Sequence, residues 1–143
     1  MKKLNIILII LIPVLTFAQA EKEASKKVSA EFQKLYNADN AQAIFELFSS
    51  EMKAALPIEK TTEFVKGLKN QVGKIEKREF LKYQNSSYAS YKATFEHAVL
   101  ALNISIDKNA KINGLFVKPF VEEVASKEVI NKLTTKDNAI SKV

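Results

Sequence analysis

Apolar positions along the chain change period once, at Gly73. Before it they recur at helical spacing. From Glu23 to Tyr36, Ala24, Val28, Phe32 and Leu35 follow one another at intervals of four and three, lining one face of an amphipathic helix that stops near Asn37. Asp39 is placed to cap a second helix, with Gln42 reaching back as in a capping box and Ile44, Phe45, Leu47 and Phe48 as the buried side. Ser49 or Ser50 opens a short third turn, which Pro57 breaks because it lacks an amide hydrogen and biases Leu56 away from helical angles. A further helix runs from about Glu59 to Val72 on a stripe of Phe64, Val65, Leu68 and Val72. Gly73 follows where a helix ends on a left-handed residue.

After Gly73 the composition is that of strands. Ile75 to Tyr83 is one, followed by the turn-forming run Gln84-Asn85-Ser86-Ser87. Tyr88 to Phe95 alternates, with Ala89, Tyr91, Ala93 and Phe95 on one face and Ser90, Lys92 and Thr94 on the other. In the next strand Leu100, Leu102, Ile104 and Ile106 face a core, while Ala101, Asn103 and Ser105 face water or an edge. Asp107 to Ala110 turns the chain into a fourth strand, Ile112 to Phe120, where Gly114 marks a bulge and Pro119 ends the ladder. Helices gathered first and antiparallel strands second define an α+β domain whose sheet packs on the helices.

The two ends read differently. Lys2 and Lys3 precede an unbroken apolar run from Ile6 to Val14, and Ala18-Gln19-Ala20 supplies small residues at a cleavage spacing. This is the pattern of a secretory signal peptide over residues 1–20, removed after Ala20, so the expected location is periplasmic or extracellular. Pro13 and the shortness of the run argue against a retained anchor. Residues 21–120 form the domain. Residues 121–143 are a polar tail or linker with Val124, Val129, Ile130 and Leu133 as a thin stripe. The chain has no cysteine, which excludes a disulfide and a lipid-modified N-terminal Cys, so packing alone holds the fold.

The formal charge is +6, and Arg78 is the only arginine among 22 basic residues. Base reading in nucleic acids leans on guanidinium forks and clustered charge, whereas these lysines alternate with acids as on a solvated face, so nucleic-acid binding is disfavoured. Three glycines make no phosphate loop, and no nucleotide or other cofactor is expected.

Ala43-Ile44-Phe45-Glu46-Leu47-Phe48 with Met52-Lys53-Ala54-Ala55-Leu56-Pro57, then Gly73-Lys74-Ile75, Tyr88-Ala89-Ser90-Tyr91 and Ile112-Asn113-Gly114-Leu115-Phe116, occur in this order over about residues 25–120. Together they resemble a bacterial domain-of-unknown-function family of the nuclear transport factor 2-like (cystatin-like) superfamily. The resemblance implies a curved four-stranded antiparallel sheet forming a cone around the first long helix, with a pocket at the open end. It also implies frequent placement ahead of an exported serine hydrolase of the β-lactamase and penicillin-binding type, to which Asn131–Val143 would be a connector, and dimerisation through the outer face of the sheet.

Candidate chemistry is sparse. Ser50-Glu51-Met52-Lys53 and Ser105-Ile106-Asp107-Lys108 match Ser-x-x-Lys without any completing motif, as chance allows with ten serines. His97 is the only histidine, so no multi-imidazole metal site is expected, and Glu96-His97-Ala98 falls where two strands reverse. Superfamily isomerases and dehydratases set an acid or histidine inside the cone. Here Glu79 shares strand parity with Ile75, Leu81 and Tyr83, either facing inward beside Tyr83 or Tyr91 or pairing with a cross-strand lysine at a solvated edge. Phe45, Phe48, Phe64 and Phe80 either fill the core or line a pocket for a small apolar ligand. The sequence therefore leads to an exported, non-catalytic accessory domain beside an envelope hydrolase. The alternatives are a small enzyme with Glu79 or His97 as base, and a free-standing homodimer.

Overall fold

The computed structural model describes residues 19–122; the leader assigned to residues 1–20 and the tail assigned to 121–143 lie almost wholly outside the described residues. Four helices come first: α1 (Glu23–Asn37), α2 (Ala41–Glu46), α3 (Ser50–Ala55) and α4 (Ile58–Val72). Four strands follow, β1 (Ile75–Gln84), β2 (Tyr88–Phe95), β3 (Val99–Ile106) and β4 (Ile112–Pro119), in an antiparallel sheet of order β1-β2-β3-β4. The α+β expectation holds.

The helices cover one face of the sheet. α1 lies on β1 and β3, and α2 packs between α1 and α4. Phe32, Tyr36, Ile44, Phe48 and Val65 from the helices meet Tyr91, Phe95, Leu102 and Ile104 from the sheet in one core. The alternation expected of β2 is observed, since Ala89, Tyr91, Ala93 and Phe95 are all buried. The α2–α3 junction is tied to β4: Ser49 N donates to the Ile112 carbonyl at 2.9 Å and Ile112 N to the Leu47 carbonyl at 2.8 Å.

The structure rotates the α1 stripe. Its buried residues are Ser25, Ser29, Phe32 and Tyr36, while Ala24 is exposed and Val28 and Leu35 are only half-buried. Two serines reach the interface because the sheet offers them polar neighbours, as described below. The α2 cap also moves by one residue. Asn40, not Asp39, accepts from Ala43 N at 3.0 Å. Asp39 instead takes a left-handed φ of 60° and binds Lys69 Nζ at 2.6 Å. With the cap at Asn40, Gln42 falls one position short of a capping box and contacts Glu46. Ser49 caps α3 as expected, accepting from Met52 N at 3.2 Å.

Gly73 ends α4 at φ 80° and ψ −159°. That is outside the left-handed helical basin and in a region open to glycine alone. A Cβ there would also run into the Glu96 side chain, whose carboxylate accepts from Lys74 N at 2.7 Å. Gly114 stands beside the bulge that inserts Asn113 between the pairs Ser105↔Gly114 and Ile106↔Ile112, and the Tyr88 ring lies where its Cβ would be. Pro119 is the last residue paired in β4.

The outer face of β3 departs from expectation. Ala101, Asn103 and Ser105 are buried rather than solvated, as is Ser90 beside them on β2. They are small side chains in the middle of a bent sheet. Tyr88 and Phe116, whose rings meet at 5.2 Å, project from the same face on the flanking positions.

Candidate functional site

Two bulges in β1 decide where its side chains point. The ladder runs Ile75↔Phe95 then Lys77↔Thr94, and Phe80↔Tyr91 then Lys82↔Ser90, so Glu76 and Leu81 are the inserted residues. Each insertion reverses parity. The helix-facing residues are consequently Ile75, Arg78, Phe80 and Tyr83, and Glu79 does not share the inward face. Glu79 is exposed and takes Lys77 Nζ at 3.0 Å on its own strand, with Lys92 opposite it in the ladder. Of the two placements open to Glu79, the solvated one is observed and the inward one is not, with the paired lysine on its own strand and not across the ladder.

His97 is exposed in the β2–β3 turn, its backbone N–H donating to the Val72 carbonyl at 3.1 Å. Neither Glu79 nor His97 lines the groove described below, and the structure does not bring them to one place. Lys53 is engaged by Glu46 at 2.8 Å. Ser105 is buried in the sheet and Lys108 lies in the turn beyond it. No group of three His, Asp or Glu side chains able to hold a metal occurs among the described residues. Of the phenylalanines read as pocket or core, Phe48 is buried in the core and Phe45, Phe64 and Phe80 are half-buried against it: Phe45 and Phe48 meet edge-on at 6.2 Å, and Phe80 meets Tyr91 at 5.8 Å.

A polar cluster lies between α1 and strands β1 and β2. Tyr83 accepts from Lys22 N at 2.8 Å and donates to Ser25 Oγ at 3.1 Å, while its own N–H donates to Gln19 Oε1 at 3.3 Å. The Tyr91 hydroxyl donates to Glu21 Oε1 at 2.7 Å and contacts the Ser25 carbonyl at 3.3 Å. Arg78 Nη1 donates to the Ser29 carbonyl at 3.2 Å and to Gln33 Oε1 at 2.8 Å, and the guanidinium carbon stands 5.1 Å from the centre of the Tyr91 ring. Among the described residues Arg78 Nε is buried without a hydrogen-bond partner.

Burial, above all, pushes the Tyr91 hydroxyl pKa up, and the adjacent Glu21 adds to this; the nearby Ser29 hydroxyl and the charge of Arg78 act against it. Sequence reading missed this cluster. Two signals pointed to it: serines four apart on α1, and one arginine in a lysine-rich chain.

The opposite face of the sheet carries an open groove of about 860 Å³, floored by Ser90 and Ala101 and walled by Leu81, Lys118 and Phe120. Beyond Pro119 the chain bends across this face, where Lys92 meets Glu122 at 3.4 Å and stands 4.9 Å from the centre of the Phe120 ring. The strand residues among the exposed large apolar side chains, Leu81 (44%), Val99 (42%) and Phe116 (38%), occupy outer-face or bulge positions.

Helices on one side of an open four-stranded antiparallel sheet, with polar groups under the first helix, place the chain among small α+β domains. More particularly, residues 29–115 match the family described as protein of unknown function (DUF3887), and the chain belongs to that family. The match begins inside α1 and ends inside β4, so it takes in Arg78 and Tyr91 but stops short of Ser25 and Glu21. No curated protein matches the chain. No solved structure matches it either.

Proposed function

We propose that this chain is an exported, non-catalytic accessory domain of the nuclear transport factor 2-like type that docks through the outer face of its sheet onto an envelope hydrolase. The observation that carries the reading is the position of Leu81, Val99 and Phe116: apolar side chains well exposed on the face that no helix covers. Exposed apolar area grouped on one surface is the usual mark of a contact with another protein. Lys118 stands beside Phe116 on this face, so the complementary surface is apolar with an acidic group opposite Lys118. Export follows from the leader pattern of residues 1–20. The hydrolase is the partner suggested by the family resemblance of residues 25–120, and residues 121–143 would connect or space the two.

A photocrosslinking side chain placed at position 116 in the producing organism, with one at Glu59 on α4 as control, tests the reading. The expected adduct joins position 116 to a serine hydrolase, with none from position 59. An adduct to a second copy of this chain, or no adduct from either position, overturns it.

A further inference from the structure

Arg78 is the only arginine among 22 basic residues, and it points from β1 toward α1 rather than to solvent. One of its nitrogens, Nη1, straps the sheet to α1 through Ser29 and Gln33. Among the described residues Nε is buried with no hydrogen-bond partner, and none of their carboxylates forms an ion pair with the guanidinium. Buried polar atoms in folded proteins are paired, so an orphaned guanidinium nitrogen is a site that calls for a ligand. The Nε–Nη2 edge is the planar fork that holds a carboxylate through two parallel hydrogen bonds, which a lysine cannot do. The chain uses lysine at every other basic position.

A carboxylate already stands close by. Glu21 accepts from the Tyr91 hydroxyl at 2.7 Å, and Arg78 is stacked on the ring that bears this hydroxyl. The hydroxyl feels both charges, Glu21 on one side and Arg78 on the other. We infer that Arg78 and Tyr91 form a carboxylate-binding subsite between α1 and the sheet, for which Glu21 is the intramolecular competitor. The ligand is a small molecule or a peptide end bearing a free carboxylate. It enters as the segment before α1, tied to the sheet by Glu21 and Lys22, swings away from Tyr83 and Tyr91. This site lies on the opposite side of the sheet from the docking face, so each can fail without the other.

The single arginine gives a single side-chain Nε–H signal in the spectrum of the ¹⁵N-labelled full chain, identified by its loss in Arg78→Lys. Sodium acetate, titrated against sodium chloride at equal ionic strength, should shift that signal saturably. So should N-acetyl-alanyl-alanine if the natural source is a peptide terminus, whereas its C-terminal amide should not; a response to acetate alone assigns the source to small free acids. Glu21→Gln should bind acetate at least about threefold more tightly, and Arg78→Lys, followed at the Tyr91 amide, at least about tenfold more weakly. No saturable shift with acetate in either the wild type or Glu21→Gln overturns the inference. So does a response to inorganic phosphate alone, or undiminished binding by a folded Arg78→Lys chain.

Discussion

The two faces of the sheet are equally buried at their centres and are built in opposite ways. On the helix side Tyr91, Phe95 and Leu102 interlock with Phe32 and Tyr36, whose rings meet at 6.1 Å. On the other side the buried residues are Ser90, Ala101, Asn103 and Ser105, none of them large and apolar, and the large side chains are the exposed ones around them. Low exposure therefore has two origins here. Inside, a side chain is buried because another layer has filled the space around it. Outside, a short side chain is buried because taller neighbours and the bend of the sheet keep water away from a narrow floor. Only the first kind of burial contributes a large dispersion and transfer energy, since those terms scale with the apolar area and contacts a side chain brings.

The sharpest test of that difference is truncation on each face. Leu102→Ala should lower the unfolding free energy by about 3 kcal/mol, the usual result of leaving a cavity in a close-packed core. Ser90→Ala on the outer floor should change it by less than about 1 kcal/mol, because its hydroxyl serves one side-chain bond from Gln84 at 3.2 Å. Urea unfolding of both variants decides. Equal losses would mean that the outer floor is packed as tightly as the core.

The next effect in size comes from the joint between helices and sheet. Gly73→Ala combines a backbone conformation closed to other residues with a clash against Glu96, and should cost about 2 kcal/mol. The loss should shrink only in part when Glu96 is also shortened to alanine, since the carboxylate is removed but the Glu96 Cβ stays 2.7 Å from the added methyl. If Gly73→Ala costs as much in the Glu96→Ala background as in the wild type, the carboxylate contributes nothing to the clash.

Tyr36 supplies a third test, confined to the inner face. Its hydroxyl donates to the Gly73 carbonyl at 2.9 Å, and burial first, then the charges of Asp39 and Glu96, raise its pKa from 10.0 to about 12. Since the folded state holds this proton more tightly, the contribution is complete below the unfolded value of 10.0. It is lost as pH climbs from there through about 12. Tyr91, shifted in the same direction, steepens the decline. Tyr36→Phe should cost about 1 kcal/mol at neutral pH and flatten the alkaline loss of stability relative to wild type. Identical alkaline slopes in the two proteins would show that Tyr36 is not held as described.

Much of the fold was legible in the residues. Pro57, Gly73 and the alternation of β2 mark boundaries and a face that the structure reproduces. What was hidden depended on single-residue shifts that periodicity cannot register. Two inserted residues in β1 reverse its parity, which takes Glu79 out of the interior and brings Arg78 in. The α1 stripe is turned for a related reason. Ser25 and Ser29 become buried because Tyr83 and Arg78 arrive from β1 to bond them and their carbonyls, and that arrival is set by the same bulges. The outer floor was misread because alternation assigns a residue to a face and says nothing about how tall its neighbours are. The candidate subsite around Arg78 was thus written in the composition, as one arginine among lysines, but its place was not.

Phe116 carries the smallest expected change in stability, and that smallness is what makes it informative. Its ring touches Tyr88 and lies 5.9 Å from Lys118 Nζ, contacts at the surface that seal nothing beneath them but the small residues of the floor. Phe116→Ser should therefore alter the unfolding free energy by less than about 1 kcal/mol, as surface substitutions generally do. The same change removes an exposed aromatic from the proposed docking face, and aromatic anchors dominate binding at such faces, so it should weaken capture of the proposed hydrolase partner by tenfold or more. A protein that keeps its stability and loses its partner would assign the outer face to association. If instead stability falls as far as it does for Leu102→Ala, Phe116 is part of the folding core. The outer face would then be a second packed layer and no longer a surface kept for binding.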